Sequence, residues 1–128
     1  MVKSLGAGTN ELLADLNAAG VDFESLAMRE LRTYAQPLGA TFSSWRDSKT
    51  GPEVDAVLEL PNGRWAAFEF KLGEAAAVAA AASLVHFARQ VDGERHGTPL
   101  ALAVLTAGRY AFRRPDGVEV VPVTALGP

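Results

Sequence analysis

The chain has no cysteine, no long apolar run and no excess of basic residues. Without cysteine it can form neither a disulfide framework nor a thiolate metal site. No segment reaches the ~18 consecutive apolar residues of a membrane-spanning helix, and the first residues lack the apolar core of a signal peptide. We therefore expect a soluble cytoplasmic protein that does not contact membranes. The formal net charge of −3 argues against strong metal-independent binding to nucleic acid.

What the chain does contain is enough apolar sequence for one core. It has 128 residues, of which 48% are hydrophobic and 21% charged, so we expect a single domain spanning residues 1–128. Residues 1–20 are predicted to be a helical lead-in, with a short helix over residues 9–17. Global disorder is excluded by this composition.

The hydrophobic period changes along the chain from helical to extended and back. Asp22 can cap a helix that runs to about Gln36, where Pro37 follows. The next segments are three strands at about 41–46, 53–60 and 64–72, an alanine-rich helix ending near residue 91, a buried strand at 100–106 and a closing hairpin at 110–123. The first helix should bury one face, made of Phe23, Leu26, Ala27, Glu30, Leu31 and Tyr34.

This order predicts an α/β fold in which helices pack on a mixed sheet. A strand, a long helix and another strand imply a crossover between parallel neighbours, whereas the Pro-Asn-Gly turn at 61–63 implies an antiparallel hairpin. The strands at 53–60, 64–72 and 100–106 should form the centre of the sheet.

Asp55, Glu69 and Lys71 are charged residues on the two otherwise apolar strands that the Pro-Asn-Gly turn connects. Glu69 and Lys71 share one face, roughly 7 Å apart, and the hairpin brings Asp55 to the same side. Burying such charges is unfavourable unless they are paired or bind an ion. We therefore expect the Asp55 and Glu69 carboxylates to lie within about 6 Å of each other and to share a divalent cation.

The helix carrying Glu24, the strand carrying Asp55 and the Glu69-Phe70-Lys71 strand resemble the PD-(D/E)xK nuclease superfamily, whose core is helix, three strands, helix, strand. More narrowly, the chain is similar to a C-terminal domain of unknown function that follows an AAA+-type ATPase module in prokaryotic ATP-binding proteins. The segments that carry this resemblance are 20–24, Trp45-Arg46, 53–55, 68–72 and 120–126.

The resemblance implies a restriction-endonuclease-like core and a metal-dependent hydrolase that cleaves DNA. Asp55, Glu69 and the Phe70 carbonyl would hold Mg²⁺, with Mn²⁺ as the alternative ion. Lys71 would orient the attacking water or stabilise charge on the phosphate, and Glu24 would complete the metal shell. The resemblance also implies an ATPase partner, in the same polypeptide or in another one.

Alternative interpretations stand beside these assignments. The superfamily's Pro-Asp dipeptide is missing at Asp55, and the literal Pro115-Asp116 is typical of a turn. An inactive nuclease-fold module that binds or regulates an ATPase therefore remains open, as does a structural charge cluster. Glu24 can serve the helix dipole alone, and Glu53 is a second candidate ligand.

Four further features have both a functional and a structural interpretation. Arg46 beside Trp45 can contact phosphate or end a strand in solvent, and His86 is expected on a helix face. His96 has no partner at metal-ligand spacing. Basic and aromatic residues alternate near the C-terminus as in a nucleic-acid patch, although a strand followed by a turn accounts for them equally: Tyr110, Phe112, Arg113 and Arg114.

Overall fold

The computed structural model describes residues 22–45, 54–93 and 97–126. They contain two α-helices and six strands, and short 3₁₀ turns follow or precede several of them. The helices are α1 (Phe23–Ala35) and α2 (Ala77–Gly93), and the strands are β1 (Thr41–Trp45), β2 (Val54–Glu59), β3 (Trp65–Phe70), β4 (Ala101–Thr106), β5 (Phe112–Arg113) and β6 (Glu119–Pro122). The predicted lead-in over residues 1–20 lies outside the described residues, apart from which the predicted order of elements is confirmed.

The six strands form one mixed sheet in the order β1-β2-β3-β4-β6-β5. Strand β2 runs antiparallel to both of its neighbours, β1 and β3, whereas β3, β4 and β6 run parallel, and β5 closes the edge antiparallel to β6. Helix α2 connects β3 to its parallel neighbour β4, as a crossover between parallel strands requires. The predicted helix, three strands, helix, strand and closing hairpin are all present.

The two helices cover opposite faces of the sheet. Helix α1 packs on a cluster that includes Leu58, Phe68 and Leu105, whereas α2 packs on one that includes Trp65 and Val104. A sheet covered on both faces buries its central strands on both sides. This explains why all six residues of β3 are buried.

Helix α1 begins where the sequence predicts, with Asp22 as its N-cap. The Ser25 backbone N–H donates to Asp22 Oδ1 at 2.7 Å, which satisfies one of the free donors of the first turn. Its buried residues are Leu26, Ala27, Leu31 and Ala35. The prediction that Tyr34 belongs to the buried face is wrong, since this side chain is 51% exposed. Tyr34 lies in the last turn, where an amphipathic ring can keep its hydroxyl in water.

The C-terminal hairpin confirms that Pro115-Asp116-Gly117 is a turn. The Arg114 N–H donates to the Val118 carbonyl at 2.8 Å, and Gly117 has a φ of 89°, which side chains other than glycine rarely adopt. Within the described ranges, no helix is long and apolar enough to cross a membrane.

Candidate functional site

A β-bulge lies between Val54 and Val57, in the part of β2 that contains Asp55. Ser43 of β1 pairs with Val57, but Trp45 pairs with Val54, so two steps on β1 match three on β2. The extra residue also explains why Val54 and Val57 both pack on the α2 side of the sheet. Bulges redirect side chains and occur often beside active sites.

The side chain of Asp55 is held against the backbone of β3. Its Oδ2 atom accepts a hydrogen bond of 2.7 Å from the Phe70 backbone N–H. The N–H and C=O of one strand residue point to the same side, so the Phe70 carbonyl also faces β2. Carboxylate and carbonyl oxygens are thus directed to one place at the end of the hairpin.

The paired ladder of the hairpin ends next to Asp55 and Glu69. Ala56 pairs with Phe68, and Asp55 and Glu69 are the next residues along the two strands. At this point the Asp55 side chain accepts the Phe70 N–H. The proximity of the two carboxylates and their sharing of one cation stay predictions.

Glu69 is the one acidic residue among the buried side chains of the described residues. It is 6% exposed and lies on the central strand β3, between β2 and β4. Strand alternation puts it on the α2 side, with Trp65 and Ala67. Acidic side chains are almost never fully buried unless they are paired, so this position points to a function or a specific partner.

Lys71 follows β3 directly and lies in a cleft. Its backbone N–H donates to the Leu105 carbonyl at 2.9 Å, so the ladder with β4 continues past the end of the strand. With Phe70 and Leu72 it forms one wall of a cleft of about 580 Å³, and the other wall is the first turn of α1. Glu24 lies on that turn, so the fold brings Glu24 and Lys71 to the same cleft.

The five predicted site residues therefore form two neighbouring groups. Glu24 and Lys71 line the cleft, whereas Asp55 and Glu69 do not. Phe70 joins the groups, because it lines the cleft and also donates its N–H to Asp55. The sequence analysis did not predict this division, and the action of the five residues as one site stays a prediction.

The electrostatics of the cleft include the N-terminus of α1. The hydrogen bond from the Ser25 backbone N–H holds the pKa of Asp22 below its usual range, because it favours the ionised carboxylate. Helix N-termini carry a partial positive charge. The first turn of α1 therefore favours negative charge at its N-cap, Asp22.

The other residues that the sequence singles out have different surroundings in the structure. Arg113 pairs with Glu119 at 2.7 Å and Arg114 with Asp116 at 3.2 Å, so each already has an acidic partner. His86 is exposed on α2, as expected for a helix-face residue. The alternative ligand Glu53, together with Arg46 and His96, lies outside the described residues.

Arg109 is a further exposed cation at this end of the sheet, and the sequence analysis did not single it out. It lies just after the end of β4. Its place could have been inferred from the prediction that β4 runs parallel to β3, since the carboxyl ends of both strands then meet at one edge.

Comparison with known proteins identifies a family but no activity. Neither the curated proteins nor the solved structures gave a significant match. The family model described as "Domain of unknown function (DUF4143)" matches residues 19–126, which include every element of the fold described above. The chain belongs to the DUF4143 family.

Proposed function

We propose that this domain is a metal-dependent nuclease that hydrolyses phosphodiester bonds of DNA. The observation that carries the proposal is the hydrogen bond from the Phe70 amide to the Asp55 carboxylate. It holds Asp55 against the strand that carries the buried Glu69 and that leads directly into Lys71. Charged residues concentrated at the end of a buried hairpin are unfavourable for folding alone. A site that binds a cation and a phosphate gives them a role.

The donor atoms at this place suit a hard divalent cation. Two carboxylates, of Asp55 and Glu69, and the carbonyl of Phe70 supply oxygen, which Mg²⁺ and Mn²⁺ prefer. In the part of the chain that is described, no three His, Cys, Asp or Glu residues group into a metal site. The carbonyl and bound waters would therefore complete the shell, as is usual for Mg²⁺. A bound ion would polarise the scissile phosphate and lower the pKa of a bound water.

The cleft supplies the remaining groups. Lys71 would hold the negatively charged phosphate beside the carboxylates or orient the attacking water. Glu24 reaches the cleft from the first turn of α1, apart from Asp55 and Glu69, so it would contact the ion through a bound water and not directly. Phe70 connects the carboxylate pair, Asp55 and Glu69, to the cleft. Its amide binds Asp55, and its neighbours along the chain are Glu69 and Lys71.

A second candidate function is a non-catalytic module with the same fold. It is favoured by the hydrogen bond between Asp55 and Phe70, which gives the carboxylate a structural role, and by the absence of Asp55 and Glu69 from the cleft lining. Such a module would bind or regulate a partner ATPase.

The ATPase partner rests on the resemblance to a domain that follows AAA+-type modules. We infer that the domain works beside an ATPase, in the same polypeptide or a separate one. Affinity purification from the source cells, followed by mass spectrometry, should recover a protein or peptide of that class. Recovery of the domain without any ATPase would count against the association.

Cleavage of labelled DNA with Mg²⁺ or Mn²⁺ tests the catalytic proposal. Asp55→Asn, Glu69→Gln and Lys71→Ala should each lower the rate by about 100-fold or more, and double variants should be no worse than single ones. Glu59→Gln is the matched control, because Glu59 is an exposed carboxylate at the opposite end of β2. Equal activity in all variants would indicate a contaminating nuclease, and an inactive wild type would favour the non-catalytic module.

A further inference from the structure

The chain segment after β4 leaves the sheet beside the candidate site. Strands β3 and β4 are parallel neighbours, so their carboxyl ends lie side by side at the same end of the sheet. The Ala107 N–H donates at 3.1 Å to the carbonyl of Leu72, which is the residue immediately after Lys71. Residues 109–112, which we call the rim segment, therefore begin next to the wall of the cleft that Lys71 and Leu72 form.

The rim segment exposes two aromatic rings. Tyr110 is 68% exposed and Phe112 is 46% exposed, and only Ala111 separates them. Exposed rings of this size are unfavourable in water, and neither ring packs into the two cores. They are well suited to stack on the π-faces of unpaired nucleic-acid bases, which bind aromatic side chains irrespective of sequence.

Among the residues that the structure describes, one positive charge of the rim segment has no acidic partner. Arg113 and Arg114, just beyond it, are held by Glu119 and Asp116. Arg109 forms no ion pair with any residue of the described ranges and is exposed. Its guanidinium is therefore available to a phosphate, for which arginine provides bidentate hydrogen bonds.

Both ends of the rim segment are fixed. Before it, the fully buried Thr106 accepts a hydrogen bond of 3.1 Å from the Gly108 N–H through its Oγ1 atom. At its other end, Phe112 and the following Arg113 pair with β6, and the Arg113–Glu119 ion pair spans the two strands. A surface held in place before binding loses less entropy when a ligand binds.

We propose that the rim segment binds single-stranded nucleic acid and guides it to the candidate site. Arg109 contacts the phosphate backbone, while Tyr110 and Phe112 stack on unpaired bases. A duplex would leave both rings without a partner, because its bases are already stacked on one another, and the net charge of −3 disfavours binding through phosphates alone. The choice of nucleic acid as ligand rests on the proposed function.

Fluorescence anisotropy with the whole chain in EDTA tests this proposal without requiring cleavage. The probes are labelled oligothymidylate and oligouridylate of about 20 nucleotides, longer than common single-strand site sizes, and a duplex of equal length. Tyr110→Ala should weaken single-strand binding about tenfold. Arg109→Ala should reduce the slope of log K against log salt by about 0.7.

Two control substitutions match these changes elsewhere on the surface. Tyr34→Ala removes a similarly exposed ring from α1, and Arg64→Ala removes an exposed arginine at the opposite end of β3. Both should bind like the wild type. Tighter binding of either single strand than of duplex, lost in the rim variants, supports the proposal and identifies DNA or RNA as the preferred ligand.

Three results would overturn the proposal. They are no single-strand binding by the wild type, a preference for duplex, and rim variants that bind like their controls. The outcome is separable from that of the nuclease assay. A chain that binds single strands through Tyr110 but never cleaves them would refute hydrolysis and retain this surface, whereas cleavage with unchanged binding by Tyr110→Ala would refute only this surface.

Discussion

At the scale of single residues, Asp55 has one observed role, as a hydrogen-bond acceptor, and one proposed role, as a metal ligand, and the two use different oxygens of its carboxylate. One oxygen, Oδ2, accepts the Phe70 N–H at 2.7 Å, which fixes the side chain against β3. The other oxygen is the one that a cation would take. The hydrogen bond therefore orients the carboxylate in advance, much as outer-shell hydrogen bonds orient metal ligands in general.

This arrangement predicts different stabilities for two substitutions of Asp55. Asp55→Ala leaves the partly buried Phe70 N–H without its acceptor and should lower the free energy of unfolding by about 1–3 kcal/mol. Asp55→Asn keeps an acceptor oxygen and should lose clearly less. Urea denaturation of both variants and the wild type in EDTA measures the difference. Equal stability of all three proteins would mean that the hydrogen bond contributes nothing to folding.

Sequence reasoning at this scale singles out charges that interrupt an apolar strand. Asp55, Glu69 and Lys71 are such charges, and their action as one site stays a prediction. The bulge beside Asp55 was not predictable, since it depends on how β1 pairs with β2 and not on the residues of β2 alone.

At the scale of secondary-structure elements, helix α1 determines where Glu24 lies. Its N-cap Asp22 begins the helix at the mouth of the cleft, and Leu26, Ala27 and Leu31 anchor it on the sheet. The cap and the apolar face together fix the first turn. Glu24 is therefore positioned by the helix as a whole and not by a contact of its own.

The N-cap should make the stability of α1 depend on pH. The pKa of Asp22 is lowered in the folded state, so its stabilising effect is complete above the unfolded-state pKa of about 3.9. The effect is lost as the pH falls through the lower folded-state value. The wild type should therefore exceed Asp22→Asn in melting temperature at neutral pH, by a margin that shrinks with acidification.

Asparagine is a suitable control at this position because it accepts the same capping hydrogen bond but does not titrate. Other carboxylates titrate equally in both proteins, so the difference between the two curves isolates Asp22. Melting temperatures measured by circular dichroism from neutral to strongly acidic pH provide the test. Parallel curves at every pH would show that the charge of Asp22 does not contribute.

The elements themselves followed from the hydrophobic period and from local signals. Asp22, the Pro-Asn-Gly turn at 61–63 and the Pro-Asp-Gly turn at 115–117 all mark boundaries that the structure confirms. Tyr34 was assigned to the wrong environment because an angular position on a helix does not reveal how far the sheet extends beneath it. That distance is a tertiary property.

At the scale of the whole molecule, the fold places the candidate functional residues at the end of the sheet where β3 and β4 terminate. The carboxyl ends of β3 and β4 hold Lys71 and the rim segment, and the first turn of α1 faces them across the cleft. In open sheets with parallel strands, ligands bind at this end. The arrangement therefore links the proposed site for hydrolysis to the proposed surface for a single strand.

The architecture was predictable as a whole because the chain alternates cleanly between elements. A long alanine-rich helix between two buried strands requires a crossover, and the closing hairpin has an unmistakable turn. The position of β6 between β4 and β5 was not predictable, because a strand from a hairpin can join a sheet through either of its strands. That choice places the rim segment at the sheet edge.

Calorimetric titration with Mg²⁺ and Mn²⁺ tests the central claim most directly, namely that Asp55 and Glu69 share one divalent cation. Wild type should bind one ion per chain. Asp55→Asn, which retains the hydrogen bond to Phe70, and Glu69→Gln should each abolish binding, whereas Glu59→Gln should bind like the wild type. Saturable binding that survives both site substitutions, or no binding by the folded wild type, would contradict the account.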